Sequence, residues 1–446
     1  MRDLLVTVLF CYGAMKAFRH PYVAALLWVW IGLMNPHRLG WGFAYSMPFA
    51  MMAVGLLVIS MFANPKDVRW PSGGPVRVFI LFAVWMGLTT AFAIHREEST
   101  YMFLNVLKVM VVTLGVAAVV RTREEILGLV SVIAMSLGYY GAKGGWFTLV
   151  TGGAFRVWGP PSTVIEGNNE LAVGLIITIP LLYYMVLQAD KLLVLPWLEK
   201  IGIKWLKRSI VILMLLCAIS AIGSHSRGAL LAMVAMATML WWRSKSKLAV
   251  GLVVLLLSPA LIFFMPDEWS SRMGTIQTYE TDQSAMGRIN AWTMAINIAN
   301  NRIFGAGFTT DSALIYQMYA PDPSDVLVAH SIYFQVLGEH GYIGLFLYLL
   351  FWFLTYRTAG RLTMVARGRP DLEWVGQLGA MIKVSIVGFA VGGAFLSLAF
   401  WDMPYYFMVL LVVTENWVKS YRADEAVAGV TQPVVSNSMG RLKASR

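Results

Sequence analysis

The chain has 446 residues, 58% of them hydrophobic and 13% charged, with a formal net charge of +11. Soluble domains carry roughly a quarter charged residues, so a water-soluble globular fold is excluded. The surplus of Lys and Arg fits a membrane protein that collects cations on its cytoplasmic side and gives no reason to expect a nucleic-acid partner.

The opening, MRDLLVTVLFCYGAMKAF, has Arg2 ahead of an apolar stretch but no small-x-small cleavage site, so a retained first helix is expected. Two short apolar segments, Leu4–Phe18 and Tyr22–Met34, are split by Arg19-His20-Pro21 and read as two thin spans or a hairpin. Longer apolar runs then recur at the roughly 17 to 25 residues a helix needs to cross hydrocarbon. They are Tyr45–Phe62, Val76–Ile94, Tyr101–Val120, Glu125–Val150, Asn169–Ala189, Ser209–Gly223, Gly228–Trp242, Leu248–Met265, Ser331–Tyr356, Met381–Ala399 and Met403–Val418. None shows the alternation of barrel strands. The expected fold is an all-α integral membrane protein of about 12 transmembrane helices, in four parts: N-terminal helices (1–265), a long outer loop (266–330), C-terminal helices (331–418) and a polar tail (419–446). Cys11 and Cys217 both lie inside apolar runs and suggest neither a disulfide nor a metal set.

Loop charge orients the chain. RTREE (121–125), EKIGIKWLKR (199–208), RSKSK (243–247) and the stretch from Arg357 to Arg369 are basic and expected inside. HREEST (95–100), the loop 151–169, SHSRG (224–228) and the interval 266–330 then face outward. In that last interval seven carboxylates against three arginines leave a balance of −4, opposite in sign to the whole chain. Within it SAMGRINAWTMAINIANN has helical periodicity, with Ser284 as the expected N-cap, and GAGF (305–308) supplies a turn.

Six residues stand out. His330 precedes an apolar run of 26 residues. At the helical rise that run spans about 39 Å, more than the ~30 Å of hydrocarbon. The helix therefore stands proud of the membrane or breaks near Gly338-Glu339-His340-Gly341, and either way His330 lies at the outer edge, where a neutral imidazole can take a proton from a hydroxyl. The bland alternative is a polar residue at a helix start. Arg288, expected in the first turn of the outer-loop helix, and Arg227, at the start of a helix after Ser224 and Ser226, are candidate anion contacts. A paired surface arginine and a snorkelling one are the respective alternatives. Lys108 and Lys143 lie inside apolar runs, where lysine is costly. With Arg156 they extend the basic set, which would suit a diphosphate headgroup on a long lipid. No nucleotide-binding loop, H-E-x-x-H or D-x-D motif is present, so chemistry without ATP, metal or other cofactor is expected.

Three ordered pieces carry a resemblance to the O-antigen ligase family. SHSRG resembles that family's S/T-R-G element, GRINAWTMAINIANNRIFGAGF its R-x-x-x-W and G-x-G-F pattern, and AHSIYFQVLGEHGYIGL its H-S-x-Y and E-x-G-x-x-G-L lead-in to a span. The likeness covers roughly Leu171 to Val418, while LMNPHRLGWGF (33–43) looks like the subgroup labelled as O-glycosylation ligases. The resemblance implies a GT-C-like membrane glycosyltransferase in the bacterial inner membrane, acting at its periplasmic face. It would move glycan from undecaprenyl diphosphate to lipid A–core, with inversion and without metal. His330 would be the general base, and Arg227 and Arg288 would hold the diphosphate. Protein O-glycosylation ligase and O-antigen polymerase share the donor and differ in acceptor. An anionic-lipid transporter is the alternative of another class; it would need polar pairs through the midplane and an inverted repeat, and no such repeat is seen.

Overall fold

The computed structural model describes residues 1–192, 202–243 and 283–431. All regular elements among them are helical. The longer ones are α1 (Arg2–Ala17), α2 (Pro21–Met34), α3 (Phe49–Ala63), α4 (Gly74–Ala91), α5 (Arg96–Val119), α6 (Arg123–Val150), α7 (Asn168–Leu187), α8 (Ile203–Gly223), α9 (Arg227–Arg243), α10 (Gln283–Asn301), α11 (Ala313–Tyr319), α12 (Ile332–Val365), α13 (Glu373–Gly392) and α14 (Asp402–Thr431). Among the described residues seven helical segments are long and apolar enough to span a membrane and three more are shorter and apolar. The expected span Leu248–Met265 lies outside the described residues, as do part of the 199–208 and 243–247 loops and the first part of the 266–330 interval.

Several boundaries differ from the sequence reading. Helix α8 starts at Ile203, so Lys204, Lys207 and Arg208 sit on its first turns rather than in a loop. Helix α12 continues to Val365 and carries Arg357 and Arg361. Helix α14 runs to Thr431, past the expected end of the last span at 418. In α12 and α14 polar residues follow the apolar run, in α8 they precede it, and in each case the helix runs through them.

Helices α6 and α8 approach closely because glycines recur along α6. A Cβ on Gly141 would strike Cys217, one on Gly144 would strike Ser220, and one on Gly145 would strike the Leu216 carbonyl. Small residues let helix backbones come together in this way within a membrane. The packing fixes the end of α8, where SHSRG begins.

Helix α12 takes the second of the two courses its length allows and breaks at Gly341, with φ 67° and ψ −172°. The 303–308 turn fills the gap. Ala306 and Gly307 N–H groups donate to the Gly338 and Glu339 carbonyls, each at 2.9 Å, and Trp85 Nε1 of α4 donates to the His340 carbonyl at 2.9 Å. The carbonyls released by the break are thus satisfied, as a buried backbone requires. His340 lies against Glu339 at 3.7 Å, and its Nδ1 is 2.8 Å from Thr89 Oγ1, which makes it a packed interior residue. A Cβ on Gly341 would collide with the Ile303 carbonyl. Gly341→Ala is expected to cost about 2–4 kcal/mol from the left-handed backbone and the collision together. Thermal unfolding in detergent would show a lowered midpoint; a wild-type midpoint would mean the break does not depend on glycine.

Candidate functional site

Helix α8 ends at Gly223 and α9 begins at Arg227, so three residues turn the chain. His225 makes the turn in the left-handed region at φ 58°, and its ring Nε2 lies 2.9 Å from the Gly153 carbonyl. Ser226 accepts the Ala229 N–H at 3.2 Å and caps α9, while Ser224 accepts the Ser226 N–H at 3.3 Å. Asn168, at the start of α7, donates to the Ser224 carbonyl at 2.8 Å and ties a second helix start to the same turn. The first N–H groups of α9 have no intrahelical acceptor and add positive potential beside Arg227.

Arg288 and Trp292 stand four residues apart and share a face of α10. Trp292 Nε1 donates to the Ala329 carbonyl at 2.7 Å, and its ring stacks on Phe334 at 4.9 Å. Asn290, on the same helix, donates to the Asp322 and Asp325 carbonyls at 2.8 and 3.1 Å. Helix α10 thereby holds the segment 320–330 along its length and fixes where that segment ends. At its end His330 adopts φ 43°, and its N–H donates to Ser397 Oγ at 3.0 Å. Histidine tolerates the left-handed region better than most residues, but outside glycine it is uncommon, and such conformations cluster at functional sites.

These elements enclose one cavity of about 230 Å³ whose lining includes Arg227, Arg288, His330, His225 and Asn169. Five stretches of chain meet there: the start of α7, the SHSRG turn, α10, the lead-in to α12 and the segment after α13 with Phe395 and Leu396. Burial, followed by the Arg288 charge, holds the His330 imidazole below its ordinary pKa, so the neutral, proton-accepting form persists to lower pH. Glu170, in the first turn of α7, lies within electrostatic reach of Arg288. The cavity thus joins two guanidinium groups, a helix N-terminus and a neutral imidazole, a set suited to receiving an anion beside a hydroxyl that must lose its proton. Among the described residues no three His, Cys, Asp or Glu side chains come together as a metal set.

The six residues singled out in the sequence divide into three places. Arg227, Arg288 and His330 meet. Lys143 and Arg156 line a different groove of about 520 Å³. Lys108 is exposed on α5, its Nζ 3.3 Å from Asn105 Oδ1, and lines neither space. One physical reason given for Arg288 also changes. Helix α10 is already formed at Gln283, so Ser284 lies within it and Arg288 falls beyond the first turn; the helix N-terminus that meets the cavity is that of α9. Asn169, Glu170, His225 and Ser397 were not singled out from the sequence. A polar triplet, Asn168-Asn169-Glu170, opening an otherwise apolar run was the available signal for the first two.

Residues 212–349 match the O-antigen ligase family. Residues 1–189 match a family of unknown function (DUF5935). No curated protein matches the chain.

Proposed function

We propose that this chain, whose residues 212–349 match the O-antigen ligase family, transfers a preassembled glycan from undecaprenyl diphosphate to lipid A–core at the periplasmic face of the inner membrane. The observation that carries this reading is the convergence of Arg227, Arg288 and His330, from three distant stretches, on one cavity. In the proposed reaction the donor diphosphate lies against Arg227, Arg288 and the first N–H groups of α9. His330 takes the proton of the acceptor hydroxyl as its oxygen attacks the anomeric carbon. The glycosidic bond to phosphate breaks, its electron pair leaves with the diphosphate, and the sugar carbon inverts. The charge gained by the leaving group falls where the two guanidiniums already stand, so little reorganisation is needed as it develops. The donor enters already activated, and this scheme uses neither ATP nor a metal.

A second acceptor, a protein Ser or Thr hydroxyl, rests on the likeness of LMNPHRLGWGF (33–43) to the O-glycosylation ligase subgroup. The test is transfer by purified protein given glycan on undecaprenyl diphosphate with lipid A–core or with an acceptor peptide, in the presence of EDTA. Product on lipid A–core supports the leading reading, and product on peptide alone moves the assignment to protein glycosylation. Lengthened glycan still on its lipid indicates a polymerase. A protein that carries the lipid across vesicles but makes no new glycosidic bond would overturn the enzyme reading.

A further inference from the structure

Lys143 and Arg156, which the fold separates from the catalytic cavity, line a groove of their own at one end of α6. We propose that this groove binds the headgroup of an anionic membrane phospholipid, its phosphate between Lys143 and Arg156 and its chains along Phe147 and Val150.

The groove's chemistry selects this occupant. Both cations are exposed, and neither has a hydrogen-bond or ion-pair partner among the described residues. No carboxylate lines the groove, so nothing there neutralises them. The remaining wall is apolar and aromatic: Trp146 and Val150 are each 66% exposed and Trp158 is 60% exposed. Tryptophan beside lysine and arginine at a helix end is the pairing found at headgroup depth, where the indole meets the interface and the cation reaches a phosphate. A sugar or a free anion would use the two cations and leave this apolar wall in water.

The loop 151–159 forms one side of the groove and also braces the catalytic turn. Val157 N–H donates to the Gly223 carbonyl at 3.0 Å, and the Gly153 carbonyl meets His225 at 2.9 Å. A lipid seated against Arg156 and Trp158 therefore rests on the strap that positions SHSRG. This proposal concerns binding alone and stands whichever acceptor the enzyme uses.

Native mass spectrometry of the detergent-solubilised chain, titrated with phosphatidylglycerol, phosphatidylcholine and inorganic phosphate, tests it. Wild type is expected to retain one phosphatidylglycerol more tightly than phosphatidylcholine. The double variant Lys143→Gln/Arg156→Gln should bind it about 25-fold more weakly, the effect of two cations each worth about fivefold at a membrane surface. Lys143→Arg/Arg156→Lys should keep the binding, and so should Lys108→Gln, which removes an exposed lysine elsewhere on a membrane helix. Equal retention of the two lipids by wild type would overturn the proposal without any variant being needed. So would a folded double variant that binds as wild type does, or displacement of the lipid by inorganic phosphate at equal concentration.

Discussion

Replacing His330 by Asn is expected to lower kcat for glycan transfer by about 10²–10⁴-fold while leaving donor binding nearly unchanged, the loss typical of a missing general base. Asparagine is the informative substitution because His330 sits at φ 43°. Asn enters the left-handed region readily and can keep the backbone N–H bond to Ser397, whereas Ala would add backbone strain to the loss of the ring. His330→Ala should therefore be inactive and also less stable, and the gap between the two variants in thermal midpoint measures the strain separately. Single-turnover transfer with enzyme in excess over donor reads the chemical step. An Asn variant that turns over at the wild-type rate would reduce His330 to a residue that shapes the start of α12.

How much of this was open to a reader of the sequence depended on the kind of information each feature needs. The apolar runs announced most of the helices because hydrocarbon thickness sets their length. The excess of the 331–356 run over that thickness left two courses, a helix standing proud of the membrane or a break near the glycines at 338 and 341, and the chain breaks at Gly341. Position around a helix axis was much less legible. Lys108 and Lys143 were placed by depth along their runs, yet Lys108 turns away from the bundle and Lys143 faces a groove built partly by a loop thirteen residues later. Arg288 lines the cavity, but the helix start used to argue for it was misplaced, because Ser284 in isolation is as good a cap as Ser226. Asn169 and Glu170 escaped notice because a polar residue at the end of a span usually only meets water. What gives them a place is the hydrogen bond from neighbouring Asn168 to Ser224, a contact across more than fifty residues that no local pattern announces.

Arg288→Gln should lower kcat/KM by about 10²–10³-fold, the scale seen when one preorganised donor to a developing anion is removed. Arg227→Gln should act in the same direction, and the double variant should lose less than the product of the two, since both guanidiniums address one leaving group. The pH profile separates an electrostatic role from a packing role. Burial first, and then the Arg288 charge, lowers the His330 pKa from its ordinary value. A nearby cation disfavours the imidazolium, so removing it stabilises the protonated form and raises the pKa. The acid limb of kcat/KM, which marks the pH where His330 becomes protonated, should consequently move upward in Arg288→Gln. It should stop short of an unperturbed imidazole, because the burial contribution remains. Arg288→Lys retains the charge, so its limb should stay near that of wild type while its rate falls, because an ammonium cannot grip phosphate with a paired fork of N–H groups. A limb that stays fixed in Arg288→Gln would mean that the charge on residue 288 does not reach His330 during turnover. If the rate also stayed fixed, the leaving diphosphate would have to be held elsewhere and the proposed site would fail.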